Sequence, residues 1–131
     1  FKNRNNTVNN NNNINSNGYA GIEQNPIYGV TAKSSIGKLR YRVHTRNGRW
    51  LPWVSEYSTS HWNKGIAGSL GKIIDGVQFD LLNANGYTVK YRASINGTKN
   101  YLPWVIGTKD FAGIINGRNF IDKIQIEIVK K

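Results

Sequence analysis

The residues able to do chemistry in this chain are few and unevenly placed. Two histidines, His44 and His61, and seven carboxylates, Glu23, Glu56, Asp75, Asp80, Asp110, Asp122 and Glu127, stand against 18 lysines and arginines and no cysteine. Neither histidine has a metal-ligand spacing such as HxxxH, and the lack of cysteine removes thiolate ligands, a thiol nucleophile and disulfides together. Glycine-rich phosphate loops and the GxSxG elbow are missing as well. His44 continues the polar side of an alternating pattern and reads as an exposed strand residue. Asp75 and Asp122 each follow an isoleucine at equivalent places in a repeat. A catalytic pair normally breaks such symmetry, so they read as structural, capping turn N–H groups. The expectation is a non-catalytic chain with no metal and no cofactor.

Binding is better supplied. Trp50, Trp53, Trp62 and Trp104, with Tyr57 and Tyr101, offer flat faces beside Arg46, Arg49 and a background of asparagine. Such faces stack on the apolar sides of sugar rings while cationic and amide groups take the hydroxyls. The same aromatics also serve as core anchors in small domains. Trp50 and Trp53 are three apart, which on a regular strand sends them to opposite faces, although Pro52 between them can bend the chain. Trp62 lies in a segment, residues 58–63, that the second copy of the motif lacks. An inserted loop is a good place for a ligand contact.

The net charge of +11 favours polyanionic partners such as nucleic acid, anionic lipid headgroups or teichoic acids. The cations are scattered along strand patterns and form no basic arm. With 131 residues the chain has enough material for one modest core. No apolar run approaches the roughly 20 residues of a membrane-spanning helix. Residues 1–17 are dominated by asparagine and read as a disordered linker, and residues 18–131 as the folded domain. Opening on Phe1 behind such a linker, the chain reads as a module cut from a longer parent.

What must position the aromatics is a repeat. Trp50-Leu51-Pro52-Trp53-Val54 returns as Tyr101-Leu102-Pro103-Trp104-Val105. Ahead of each copy lies an alternating head, Leu39-Arg40-Tyr41-Arg42-Val43-His44 and Tyr87-Thr88-Val89-Lys90-Tyr91-Arg92. Behind come tails marked by Ala67-Gly68 and Ala112-Gly113, with an extra tail at Ala20-Gly21. Ile27, Ile74 and Ile121 open the closing segment of the three tails at intervals of 47 residues. Internal periods of that size indicate repeat architectures. Period-two patterning with β-branched and aromatic residues predicts strands, and Asn47-Gly48, Asn85-Gly86, Asn96-Gly97 and Asn116-Gly117 predict turns. Residues 59–64 have room for one helical turn. The expected fold is all-β, with repeats of about 45–50 residues in a pseudo-threefold β-prism or β-trefoil arrangement, or in a small β-sandwich. The head of the first tail is absent.

The series Tyr41-Arg42-Val43-His44, Asn47-Gly48-Arg49-Trp50, Trp53-Val54, Ala67-Gly68, Gly71-Lys72 and Asp75-Gly76-Val77-Gln78-Phe79 resembles the clostridial hydrophobic repeat with a conserved Trp. The second unit follows it at Tyr91-Arg92, Asn96-Gly97, Trp104-Val105 and Ala112-Gly113, with Ala93-Ser94 in place of Val-His and Tyr101 in place of the first Trp. Such repeats, like related C-terminal regions of phage endolysins and bacteriolytic enzymes, attach secreted proteins to Gram-positive walls. The resemblance implies an extracellular, wall-associated targeting module with a catalytic domain upstream in the same chain. Its ligand would be peptidoglycan, a wall polysaccharide or teichoic acid. Two other classes use the same ingredients: a single-stranded nucleic-acid-binding domain, disfavoured here because no RRM, KH or cold-shock signature is present, and a host-glycan lectin or adhesion module.

Overall fold

The computed structural model describes residues 19–131 apart from Ile22, Thr59 and Asn63, so the linker expected at residues 1–17 lies outside the described residues. The described residues are all-β. They form β1 (Ala20–Gly21), β2 (Gly29–Val30), β3 (Lys38–Thr45), β4 (Ala67–Gly68), β5 (Ile74–Leu82), β6 (Tyr87–Ile95), β7 (Val105–Ile106), β8 (Ala112–Gly113) and β9 (Ile121–Lys130). Their sheets run β1-β9-β6-β7, β2-β4 and β3-β5-β8, and none closes into a barrel.

Two long antiparallel ladders carry the structure, β3 with β5 and β6 with β9. The alternation in β3 places Leu39, Tyr41 and Val43 in the core, with Arg40 and Arg42 half-buried on the opposite face. β6 repeats this with Val89, Tyr91 and Ala93 inside and Lys90 and Arg92 outside. Both ladders slip by one residue at the same place, between His44 and Thr45 in β3 and between Ser94 and Ile95 in β6. The extra residue lies on the partner strand each time, Asp75 in β5 and Asp122 in β9, and such a bulge bends the strand. At the last pair before the slip His44 is covered by Asp75 and Trp50, so it is buried and is not the exposed strand residue its alternation predicts.

The short strands join one unit to the next. Ala67-Gly68 pairs with Gly29-Val30, Ala112-Gly113 pairs with Gly76-Val77, and Ala20-Gly21 pairs with Lys123-Ile124. Each Ala-Gly therefore lies against the tail strand of the preceding unit, and the first lies against the last. All three glycines have positive φ, at 118°, 142° and 123°. A Cβ on Gly21, Gly68 or Gly113 would sit inside the radius of a backbone carbonyl oxygen, that of Asp122, Tyr28 or Asp75 respectively. Only glycine allows the two backbones so close. The isoleucines that open the three tails meet in the same way: Ile27 N–H donates to Ile121 O and Ile74 N–H to Ile27 O, each at 3.1 Å, with all three side chains buried. Around them Tyr41, Phe79 and Tyr91 stack in series, with centroids 6.1 Å and 5.1 Å apart, and join the two ladders into one core.

The first tail has no head ladder of its own among the described residues. The segment inserted after the first aromatic motif lies over it instead. The Trp62 ring covers Gly29, where an added Cβ would come within 2.6 Å of Cζ3, and Ser58 N–H donates to Thr31 Oγ1. Where one helical turn is expected, at residues 59–64, the described residues form no helix, and a single turn is closed slightly later by Gly65 and Ile66 N–H, which both donate to His61 O at 2.9 Å. Of the predicted turns, Asn96-Gly97 has positive φ at both residues, whereas at Asn47-Gly48 only Asn47 does.

Candidate functional site

The repeated aromatic motif pairs along the edge of its own head strand and turns its rings onto that strand's polar face. Trp50 and Val54 bridge to His44 and Tyr41 of β3, and Tyr101 bridges to Ser94 of β6. Pro52 and Pro103 interrupt the pleat, so the expectation that Trp50 and Trp53 face opposite ways fails. Both rings lie over the Arg42 guanidinium, each 4.8 Å from it, and Arg40 is 4.3 Å from Trp53. In the second unit Arg92 lies 4.5 Å from Tyr101 and 4.4 Å from Trp104, with Lys90 at 4.5 Å from Trp104. The cations are held from the side. Arg42 Nε donates to Gln78 Oε1 at 2.8 Å and Arg92 Nε to Gln125 Oε1 at 2.6 Å. Arg40 pairs with Asp80 at 2.8 Å and Lys90 with Glu127 at 3.5 Å. The result is two ladders of alternating cation and aromatic, each ring half-buried and fixed from beneath.

At the inner end of the first ladder is a feature the sequence did not suggest. His44 Nδ1 is 2.7 Å from Oδ1 of Asp75, which is fully buried. The imidazole meets the edge of Trp50 at 5.5 Å, and Trp50 meets Phe111 at 5.6 Å. Asp75 thus orients a histidine and does not cap a turn. Asp122 does cap one, accepting from Gln24 N–H at 2.9 Å. In the second unit the same place holds Ser94, Tyr101 and the buried Lys123, whose Nζ is 3.2 Å from Glu23 and 5.2 Å from the Tyr19 ring. Burial pushes the Tyr101 hydroxyl up to about 12, and no protein group among the described residues hydrogen-bonds it.

Phe111 also forms one wall of a groove of about 470 Å³, with Trp104, Leu102 and Ile114 around it and Lys109 and Asp110 at its rim. Ile106 and Ile114 are exposed beside it. The groove is tied to the first ladder through hydrogen bonds. Gln78, which holds Arg42, donates from Nε2 to Asp110 O at 3.0 Å, and the Tyr91 hydroxyl donates to Asp110 O at 3.2 Å and to Gly107 O at 2.6 Å. Burial raises the pKa of Tyr91 and of Tyr41, whose hydroxyl donates to Gly65 O at 2.7 Å. Both phenols therefore remain neutral donors.

The eight residues singled out from the sequence thus fall in separate places. Trp50 and Trp53 belong to one ladder, Tyr101 and Trp104 to the other, and Trp104 alone lines the groove. Tyr57 sits 4.8 Å from Lys33, and with Trp62 it belongs to the segment beside β2. Trp62 is half-buried against Gly29 and Ile66, which gives it a packing role. Arg46 and Arg49 line a second cleft, away from the aromatics. The sequence reading missed Arg42, Arg92 and Phe111. The first two were visible as cations at matching positions of two repeated heads; Phe111 gave no such signal. No group of three or more histidine and carboxylate side chains able to hold a metal ion occurs among the described residues. In comparisons with known proteins, no family model, no curated protein and no solved structure matches the chain.

Proposed function

We propose that this chain is a non-catalytic module that binds a Gram-positive cell-wall polymer and targets a lytic enzyme encoded upstream in the same polypeptide. The observation that supports this reading best is the groove between Trp104 and Phe111, flanked by the two cation–aromatic ladders. A half-exposed aromatic ring held rigid by a cation presents a flat apolar face at little entropic cost. Sugar rings use such faces, and the neighbouring Lys109 and Asp110 supply hydrogen-bonding groups for hydroxyls. Two similar ladders on one chain suit a repeating polysaccharide, since linked contacts raise the effective concentration of the second. We further propose that the cyclic pairing of the three Ala-Gly strands reflects a pseudo-threefold, β-prism-like arrangement. The extracellular, wall-associated location follows from the same reading.

The test is retention of a fluorescent fusion of the chain on purified Gram-positive walls, before and after teichoic acids are stripped. Binding is expected to survive stripping in part and to fall about tenfold in Trp104→Ala, while Arg49→Ala retains its binding to stripped walls. Circular dichroism of each variant separates lost binding from lost folding. Absence of binding to any wall preparation by the folded wild-type chain would sink the reading.

A further inference from the structure

The few carboxylates of this molecule are mostly spent on pairing within it. Five of the seven carboxylates pair with basic side chains: Glu56 with Lys38, Asp80 with Arg40, Asp75 with His44, Glu127 with Lys90 and Glu23 with Lys123. Among the cations without such a pair, three are brought to one cleft. The hairpin turn at residues 45–49 and the turn at residues 69–72 face each other across a cleft of about 450 Å³. Its lining includes Arg46, Arg49 and Lys72, together with the Ser69 hydroxyl and the Asn47 amide, and contains no carboxylate. None of the three cations has an ion pair or an aromatic partner among the described residues.

Geometry holds the cations together. Arg46 N–H donates to Ile73 O at 2.8 Å, which ties one turn to the other. Gly48 N–H donates to Thr45 O and Lys72 N–H to Ser69 O, so each turn is closed on itself. The N–H groups of Arg46, Gly48 and Lys72 are thereby engaged, and the charged groups left to meet a ligand are side chains: two guanidiniums and an ammonium, beside Ser69. Three like charges across one small cleft repel one another, and a tetrahedral dianion or phosphodiester relieves that repulsion. The corresponding segments of the other unit, residues 95–100 and 114–119, contain Lys99 and Arg118 and lack counterparts of the Arg46 and Lys72 side chains, where Asn96 and Asn119 stand. The basic cleft thus belongs to one unit only and is no by-product of the repeat.

We propose that this cleft binds a phosphate group, and specifically one carried on a flexible polyol- or sugar-phosphate chain. No aromatic ring lines the cleft, so the base-stacking surface that single-stranded nucleic acid needs is not offered within it. The proposal rests on the wall-binding reading only for the source of the phosphate.

The experiment is an amide chemical-shift titration of the isotope-labelled full chain with glycerol 3-phosphate, with glycerol as the uncharged control. The expected result is saturable shifts concentrated at residues 45–49 and 69–72, absent with glycerol. The triple variant Arg46→Gln/Arg49→Gln/Lys72→Gln should bind about tenfold more weakly or worse. Shifts spread evenly over every exposed lysine, or binding unchanged in that variant, overturn the proposal. Inorganic phosphate, a poly(glycerol phosphate) chain and a single-stranded oligonucleotide of equal phosphate count are then compared. Polymer binding tighter than inorganic phosphate assigns the phosphate to a polymer, and equal binding assigns it to the free ion; both keep the site. An oligonucleotide that binds more tightly than the polymer overturns the assignment to a polyol phosphate. Because the titration uses no wall material, a failure on walls and a failure here are separate results.

Discussion

Arg42 is the side chain on which the first aromatic motif depends. It touches Trp50 and Trp53 through its face and Gln78 through its Nε edge. Each cation–aromatic contact at such a half-exposed place contributes about 0.5–1 kcal/mol. Arg42→Ala is therefore expected to lower unfolding free energy by about 1–2 kcal/mol in urea titrations, whereas Arg46→Ala, with no such partners, should stay within about 0.5 kcal/mol. Gly113 presents the opposite case, a residue valued for having no side chain. Gly113→Ala would place a methyl group against the Asp75 carbonyl at a φ of 123°, and a loss of about 2–3 kcal/mol is expected in the same measurement. Gly71→Ala, in open space at a φ of 80°, should cost less, which separates the close contact from the backbone strain.

The elements differ in how plainly their residues announced them. β3 and β6 were legible because the alternation of their heads, Leu39–His44 and Tyr87–Arg92, is a physical signature of a half-buried strand. The Ala-Gly dipeptides were legible as repeat markers, but their partners were not: a strand of two residues has no period, and its pairing is decided by chain returning from another unit. The way residues 50–54 turn their rings onto β3 was hidden for another reason. Pro52 abolishes the parity rule that assigned Trp50 and Trp53 to opposite faces. His44 misled in the same way, since its covering groups, Asp75 and Trp50, come from outside its own strand. Of the candidate site, the aromatics were readable by type, while the groove and the basic cleft needed tertiary structure. The inserted segment near β2 carries its own prediction. Trp62→Ala removes the cover over Gly29 and Ile66 and should destabilise the chain by about 2 kcal/mol, below the roughly 3–5 kcal/mol of a fully buried ring. Retention on walls by the folded variant should be unchanged, which would separate packing from binding.

At the scale of the whole molecule, alkali is the clearest probe. Burial raises the pKa of Tyr41, Tyr91 and Tyr101 above the ordinary value of 10.0, the last to about 12. A raised phenol pKa means that the folded chain holds its proton where the unfolded chain has released it. The stabilisation is complete below pH 10 and is lost as pH climbs through about 12. Unfolding midpoints should therefore fall steadily above pH 10, in step with the appearance of phenolate absorbance. Tyr101→Phe removes one such group. Because the buried hydroxyl has no hydrogen-bonding partner, the change should alter stability at neutral pH by less than about 1 kcal/mol while flattening the alkaline decline. The pairing of Ala20-Gly21 with Lys123-Ile124 has a different sort of consequence. The first described strand lies beside the opening of the last one, and every unit leans on the one before it in a loop of dependence. A circularly permuted chain, with a linker long enough to run back along β9 from Lys131 to the first described strand and a new opening cut at the turn of residues 83–86, should keep every one of those pairings. Deleting β9 should instead unfasten the first unit and the last together, leaving no independently folding piece behind.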